Sequence, residues 1–218
     1  NYRKSYEDAK RLHNSLGDDA ILIKGDIRNK EEVLQMSKEL SAQKINLNTI
    51  VHNAINDYEF NGEKRKKIDE INWQDFQDQI ETSQKGFLNL LNIFAPNMKK
   101  DHFGRFITIG TNLFQNPVVP YHDYTAAKGG LLSMTRTSAI DLGKFNITVN
   151  MISGGLLKTT DASRCTPEDV FEYIKNITPL RKVTTIEDFA DAVLFFASPW
   201  SRAVTGQNLI VDGGLVLN

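Results

Sequence analysis

Five short runs of this 218-residue chain are nearly continuous in apolar residues, and they constrain its fold more than any other feature. They are AILIKGDI (Ala20 to Ile27), NTIVHNA (Asn48 to Ala54), GRFITIGT (Gly104 to Thr111), ITVNMIS (Ile147 to Ser153) and QNLIVDGG (Gln207 to Gly214). A strand with one wet face alternates apolar and polar residues, whereas a run without alternation reads as a strand covered on both faces, the mark of a parallel sheet. The segments between them, SYEDAKRLHNSLG, NKEEVLQMSKELSAQ, the long NWQDFQDQIETSQKGFLNLLNIFAPNMKK, YTAAKGGLLSMTRTSAIDLGKF and TIEDFADAVLFFASP, read as helices. The first ends at Gly17 and the last stops before Pro199, as helix exits do. Repeated β-α units of this size predict a doubly wound α/β fold, three layers deep, with right-handed crossovers. One domain over residues 1–218 is expected, with the charge-rich NGEKRKKIDEIN (Asn61 to Asn72) as a solvated insertion. The opening NYRKS reads as the exit of a strand, so the first β-α unit is expected to be missing.

Composition removes several classes of function. Lys and Arg are spread along the chain and the formal net charge is -1, which leaves no basic face for nucleic acid and points to a small-molecule partner. Cys165 is the only cysteine, so neither an intramolecular disulfide nor a cysteine metal site can be assembled, and a reducing cytoplasm fits. His13, His52, His102 and His122 show no paired metal spacing. Apolar runs such as AVLFFA (Ala192 to Ala197) are far short of the ~18 residues of a membrane span, so no membrane partner is expected.

In an open parallel sheet, ligands bind beyond the carboxyl ends of the strands. Those ends hold Asp26, Asn53, Thr111 and the SGGLLKTT loop after Asn150. Two Tyr-x-x-x-Lys pairs occur, Tyr6 with Lys10 and Tyr124 with Lys128, but only the second follows a strand-end hydroxyl, Thr111. A carbonyl that receives hydride develops negative charge on oxygen and needs a proton donor with a polariser beside it. A phenol with a pKa of about 10 is a reluctant donor. An ammonium one helical turn away, as Lys128 is from Tyr124, favours the phenolate and lowers that pKa. Thr111 can hydrogen-bond the same oxygen.

These motifs, in this order, resemble the short-chain dehydrogenase/reductase family, a Rossmann-type fold. GDI at Gly25 to Ile27 is similar to the family's adenine-contacting Asp and following apolar residue, which implies Asp26 and Ile27 as cofactor contacts. HNA resembles its Asn-Asn-Ala-Gly strand end, with Asn53 and Ala54 toward the cofactor and Ile55 where Gly is usual. Thr111 stands in the Ser place of the signature completed by Tyr124 and Lys128, the last two of which also face the nicotinamide ribose in the family. VNMISGGLLKT looks like the Asn-x-Ile-x-Pro-Gly loop, Gly154 replacing Pro, with Leu157 and Thr159 at the nicotinamide end. The fourth catalytic residue of the family, an Asn, aligns with Ser83. No Gly-x-x-x-Gly-x-Gly occurs to cradle a pyrophosphate, an absence that the expected loss of the first unit explains.

The resemblance implies NADPH-dependent reduction of a carbonyl to an alcohol. Tyr2 stands near the place where NAD-dependent members carry an Asp, and Arg3 follows, so NADP(H) is favoured over NAD(H). DYTAAKGGL and the stretch from Thr178 to Gly214 look most like 3-oxoacyl-acyl-carrier-protein reductases, with the substrate set by residues 156–182. Two alternatives stay open: a catalytically weak or non-enzymatic nucleotide-binding relative, suggested by Ser83 and Thr111, and a reductase of another small ketone or sugar. Single residues have plainer readings too: Arg3 as a solvated cation, Asp26 as a helix cap, Asn53 as a structural partner of strand-end backbone, Ser83 as a helix-surface hydroxyl. GFLNLLNIFAPNM (Gly86 to Met98) and AAKGGLLSMTRTSAIDL (Ala126 to Leu142) carry apolar or small residues around more of their circumference than one buried face requires. With the family's habit, that predicts a homodimer or homotetramer.

Overall fold

In the computed structural model all residues are described except Asp57, Asp161 and Asn218. Four parallel strands make the central sheet, in the order β1 (Thr49–His52), β2 (Gly104–Thr111), β3 (Ile147–Gly154), β6 (Asn208–Val211). A separate two-stranded piece pairs β4 (Leu157–Lys158) with β5 (Thr184–Thr185). The helices are α1 (Tyr6–Leu16), α2 (Lys30–Ala42), α3 (Trp73–Ile80), α4 (Gly86–Asp101), α5 (His122–Gly143), α6 (Glu168–Ile177) and α7 (Ile186–Ala197).

The continuous apolar runs have a direct cause. Successive strand side chains point to opposite faces, and here each face has its own core. Phe106 of β2 with Val149 and Met151 of β3 belong to a cluster built with Val33 and Met36 of α2, Phe87 and Met98 of α4 and Leu131 of α5. Their neighbours Ile107 and Ile152 pack instead with Phe196 and Phe189 of α7. Each fully buried Phe, Ile or Met contributes about 1.5–3 kcal/mol of transfer free energy, so both faces of β2 and β3 must stay apolar. Sequence capping then fixes where the helices begin: Asn29 accepts from the N–H groups of Glu31 and Glu32, and Asn72 with Asp75 and Thr185 with Asp188 form capping boxes.

Several expectations are corrected. Residues 20–27 form no strand; Lys24 makes only a parallel bridge to Tyr2, tied by Tyr2 N–H to Ile23 O at 3.1 Å and Gly25 N–H to Tyr2 O at 3.0 Å. Beyond that bridge the chain turns at Asp26 toward α2. Among the described residues β1 is the outermost strand of the four, and its Val51 is 42% exposed. The long helix from Asn72 is interrupted by a π-helical turn, Glu81–Lys85, between α3 and α4. Residues 156–182 contain β4 and α6, which the sequence reading left without structure. The insertion Asn61 to Asn72 is not only solvated, since Gly62 N–H donates to the Tyr121 hydroxyl at 2.8 Å and Arg65 Nε to Pro120 O at 3.2 Å. Among the described residues no helix is long and apolar enough to cross a membrane.

Candidate active site

The carboxyl ends of the four central strands gather the expected residues along one edge of the sheet. Thr111 is the last residue of β2 and lies opposite Gly154 of β3. Beyond it the chain makes a short 3-10 turn, Asn112–Phe114, whose first N–H groups Thr111 caps by accepting from Leu113 N–H at 3.3 Å. That turn is fastened to the C-terminal segment: Asn112 Nδ2 donates to Asp212 Oδ2 at 2.9 Å, and Asp212 accepts from the N–H groups of Gly214 and Val216. Gly155 is needed where the β3 exit passes this pair, because a Cβ there would lie 3.0 Å from both Asn112 Nδ2 and Asp212 Cβ.

Tyr124 and Lys128 sit one turn apart in the first two turns of α5, both buried. The Thr111 side chain comes close enough to the Tyr124 phenol to act on its titration. Lys128 Nζ lies 5.8 Å from the Tyr124 ring centre and donates to Ile109 O at 2.7 Å, so the cation is anchored to β2 beneath the phenol. Burial governs both titrations. It pushes the Tyr124 phenol up to about 12, against a smaller downward pull from the Thr111 side chain. It pulls the Lys128 ammonium down to about 8. The lowering of the Tyr124 pKa expected from the spacing is therefore not found here: desolvation wins over the neighbouring amine.

Ser83 is 2% exposed and lies in the π turn, so the helix-surface reading is corrected. A π turn interrupts the regular helical ladder. The carbonyl of Ser83 accepts from outside its helix, from His52 Nε2 at 2.9 Å. His52, at the end of β1, stacks on Phe87 at 5.7 Å between ring centres. Burial first, and then the Lys128 charge, hold its pKa down at about 4. Sequence reasoning weighed this histidine only as a metal ligand. Its signal was position, a polar ring closing an apolar strand beside the site.

At the other end of the edge, Arg28 clasps Asp26, with Nε 3.0 Å from both carboxylate oxygens and Nη2 2.6 Å from Oδ2. Arg3 Nη1 stands 3.9 Å from the same Oδ2. The hydrogen bonds from Arg28 hold the Asp26 pKa below the usual carboxylate range. Asp26 does not cap α2; Asn29 does. Asn53 and Ala54 are exposed just past β1, Leu157 is half-buried in β4, and Thr159 is exposed after it. The Ile27 side chain belongs to the core under Gly86, so a ligand could meet only its backbone. Arg28, His52 and the aromatic residues Tyr58 and Phe60 against Tyr124 were all missed; Arg28 stands two residues from the Asp that was singled out. Among the described residues no group of three or more His, Cys, Asp or Glu could hold a metal.

The sequence model of the family described as enoyl-(acyl carrier protein) reductase matches residues 1–216. A 3-oxoacyl-acyl-carrier-protein reductase of Buchnera aphidicola subsp. Acyrthosiphon pisum is 27% identical over 210 residues, covering 95% of this chain and 82% of that protein. Another, from Staphylococcus aureus strain Mu50, is 27% identical over 221 residues, covering 100% of this chain and 87% of its own length. The solved structure of a gluconate 5-dehydrogenase from Burkholderia cenocepacia in complex with NADP and tartrate superimposes with a TM-score of 0.84 over 98% of this chain and 83% of that one. At 22% identity it speaks for the fold alone.

Proposed function

The chain belongs to the short-chain dehydrogenase/reductase family, whose members are oxidoreductases, and from that premise we propose that it reduces a carbonyl to an alcohol with NADPH, the substrate being a 3-oxoacyl thioester carried on acyl carrier protein. The observation that carries the reading is the gathering of Thr111 at the end of β2 with Tyr124 and the buried Lys128 amine one helical turn apart, Lys128 donating to Ile109 O of the same strand at 2.7 Å. A phenol that stays protonated through the neutral range is a proton source, which suits reduction. Thr111 donates its hydrogen bond to the carbonyl oxygen as charge develops there, and Tyr124 gives that oxygen its proton.

The residues present fit a nicotinamide dinucleotide at its two ends. Arg3 and Arg28 bring two guanidiniums to the neighbourhood of Asp26, and a guanidinium matches a phosphate bidentately, which suits a 2′-phosphate. Asn53 and Ala54, just past β1, and Leu157 and Thr159, beyond β3, would hold the nicotinamide end, and Lys128 would bind its ribose. Bound there, the nicotinamide supplies the hydride. The residues that would cradle the pyrophosphate are not among those of this sequence, which contains no Gly-x-x-x-Gly-x-Gly. Consumption of NADPH with an acetoacetyl thioester tests the assignment directly.

A second reading is favoured by one observation. Ser83 carries a hydroxyl where the family pattern has an amide, so a water relay at this place is weakened and a nucleotide-binding protein with poor turnover becomes the alternative. For assembly we infer a homodimer or homotetramer through α4 and α5. Leu88 and Ile140 are 47% and 83% exposed on these helices, and a Cβ on Gly129 would meet nothing within 4 Å, which allows a close helix approach. Gly130 serves a different end: it makes room for Gln84 of the same chain.

A further inference from the structure

Tyr124 is roofed by a segment that plays no part in the proton transfer. The Tyr58 ring stacks on it at 5.3 Å and 28°, and Phe60 meets it edge-on at 5.1 Å and 83°. Tyr121 closes the group, edge-on to Tyr58 at 5.7 Å and to Phe60 at 5.5 Å. Stacked and edge-on pairs of this kind attract beyond the area they bury. Polar ties fix the segment across the start of α5. Tyr58 Oη donates to Asp123 Oδ1 at 2.9 Å, Gly62 N–H to Tyr121 Oη at 2.8 Å, and Arg65 Nε to Pro120 O at 3.2 Å. Burial first, then the Asp123 hydrogen bond, raises the Tyr58 pKa, so this phenol stays a donor and the tie holds. Beneath the rings Tyr124 is only 9% exposed.

A carbonyl takes the Tyr124 proton only from within about 2.6–3.2 Å. Its flank must then lie against Tyr58 and Phe60 or displace them. We propose that Tyr58 and Phe60 form one wall of the carbonyl pocket and select the substrate, with the Tyr58 to Asp123 hydrogen bond setting where that wall stands. The inference rests on the carbonyl-reductase reading and deepens it. Aromatic faces and edges offer dispersion contact, and the one hydroxyl among the two rings is already given to Asp123. The class admitted is therefore a carbonyl whose flank is apolar and unbranched. Residues 156–182 share the choice of substrate with this wall rather than making it alone.

Two readouts test the wall, in Phe60→Ala, in Phe60→Leu, which keeps apolar bulk without the ring, and in Tyr58→Phe, which removes only the tie. The first needs no turnover: nitration of Tyr124 by tetranitromethane, located by peptide mass spectrometry. The expected result is a rate at Tyr124 at least about fivefold higher in Phe60→Ala, with smaller rises in Phe60→Leu and Tyr58→Phe, since opening the roof restores solvent to the phenolate. An unchanged rate in all three overturns the wall. The second is kcat/KM for unbranched against branched 3-oxoacyl thioesters. Phe60→Ala is expected to shift the ratio toward the branched substrate about tenfold, mainly through KM, the scale on which an apolar pocket discriminates. An equal change for both substrates overturns selection by these residues. If the wild type reduces none of the thioesters while Tyr124 nitration rises in Phe60→Ala, the carbonyl-reductase reading falls and the roof over Tyr124 stands.

Discussion

His52 Nε2 lies 2.9 Å from the carbonyl oxygen of Ser83, joining the end of β1 to the π turn between α3 and α4. A carbonyl can only accept, so Nε2 carries the proton, and with the pKa held down at about 4 the ring is neutral at pH 7. Its Nδ1 is buried without a hydrogen-bond partner among the described residues.

This contact predicts an acid sensitivity. The folded pKa of His52 is about 4 and the ordinary value for a histidine is 6.5, so the unfolded chain binds the proton first as pH falls. Stability is therefore complete above pH 6.5 and is lost progressively toward pH 4, by about 3 kcal/mol at ~1.4 kcal/mol per pKa unit. Urea unfolding at pH 7 and pH 4.5 measures it. His52→Asn should unfold more easily at pH 7 by about 1 kcal/mol, the scale of one hydrogen bond, and lose less on acidification. An equal acid loss in both proteins would place the titration elsewhere.

Thr111 stands close to the phenol and accepts from a backbone N–H. Thr111→Ser keeps the hydroxyl and should hold or raise turnover. Thr111→Val is nearly isosteric but cannot donate, and kcat should fall about 10²-fold, the cost of losing one oxyanion donor. Equal rates in the three proteins would show that Thr111 only fills space.

The sheet and the Thr111, Tyr124 and Lys128 group were legible because their signals are local. Phe106 and Ile107 both read as apolar since each faces a different core, and a Tyr and Lys four apart on a helix share a face. What escaped depends on partners distant in sequence. AILIKGDI has strand composition, but Tyr2 gives Lys24 only a single bridge. Tyr58 meets Asp123 across 65 positions, and no spacing rule reports such a pair. The pKa of Tyr124 was misjudged for the same reason: the helix supplies Lys128, while the burial that dominates comes from the whole fold.

Arg3 flanks Asp26 from the side opposite in sequence to Arg28. If its guanidinium meets a 2′-phosphate, Arg3→Ala should weaken NADPH binding by ~1–3 kcal/mol and leave NADH nearly unchanged. Calorimetric titration with both cofactors decides it. Equal losses would assign Arg3 a purely structural part in holding Asp26.

Assembly through α4 and α5 predicts a dimer or tetramer in sedimentation at micromolar concentration. Ile140→Glu, placed at an 83% exposed position, should shift it toward monomer without lowering monomer stability by more than about 0.5 kcal/mol. A wild-type monomer would remove the proposed interface.

The account turns on the Tyr124 hydroxyl as the proton donor to the substrate carbonyl. Tyr124→Phe keeps the ring among Tyr58 and Phe60 and removes only the oxygen, so the measurement is NADPH consumption with an acetoacetyl thioester beside NADPH binding in the same variant. The predicted result is turnover lost by at least about 10²-fold, the lower end of general-acid contributions, with cofactor binding within severalfold of the wild type. Turnover in Tyr124→Phe at the wild-type rate would contradict it.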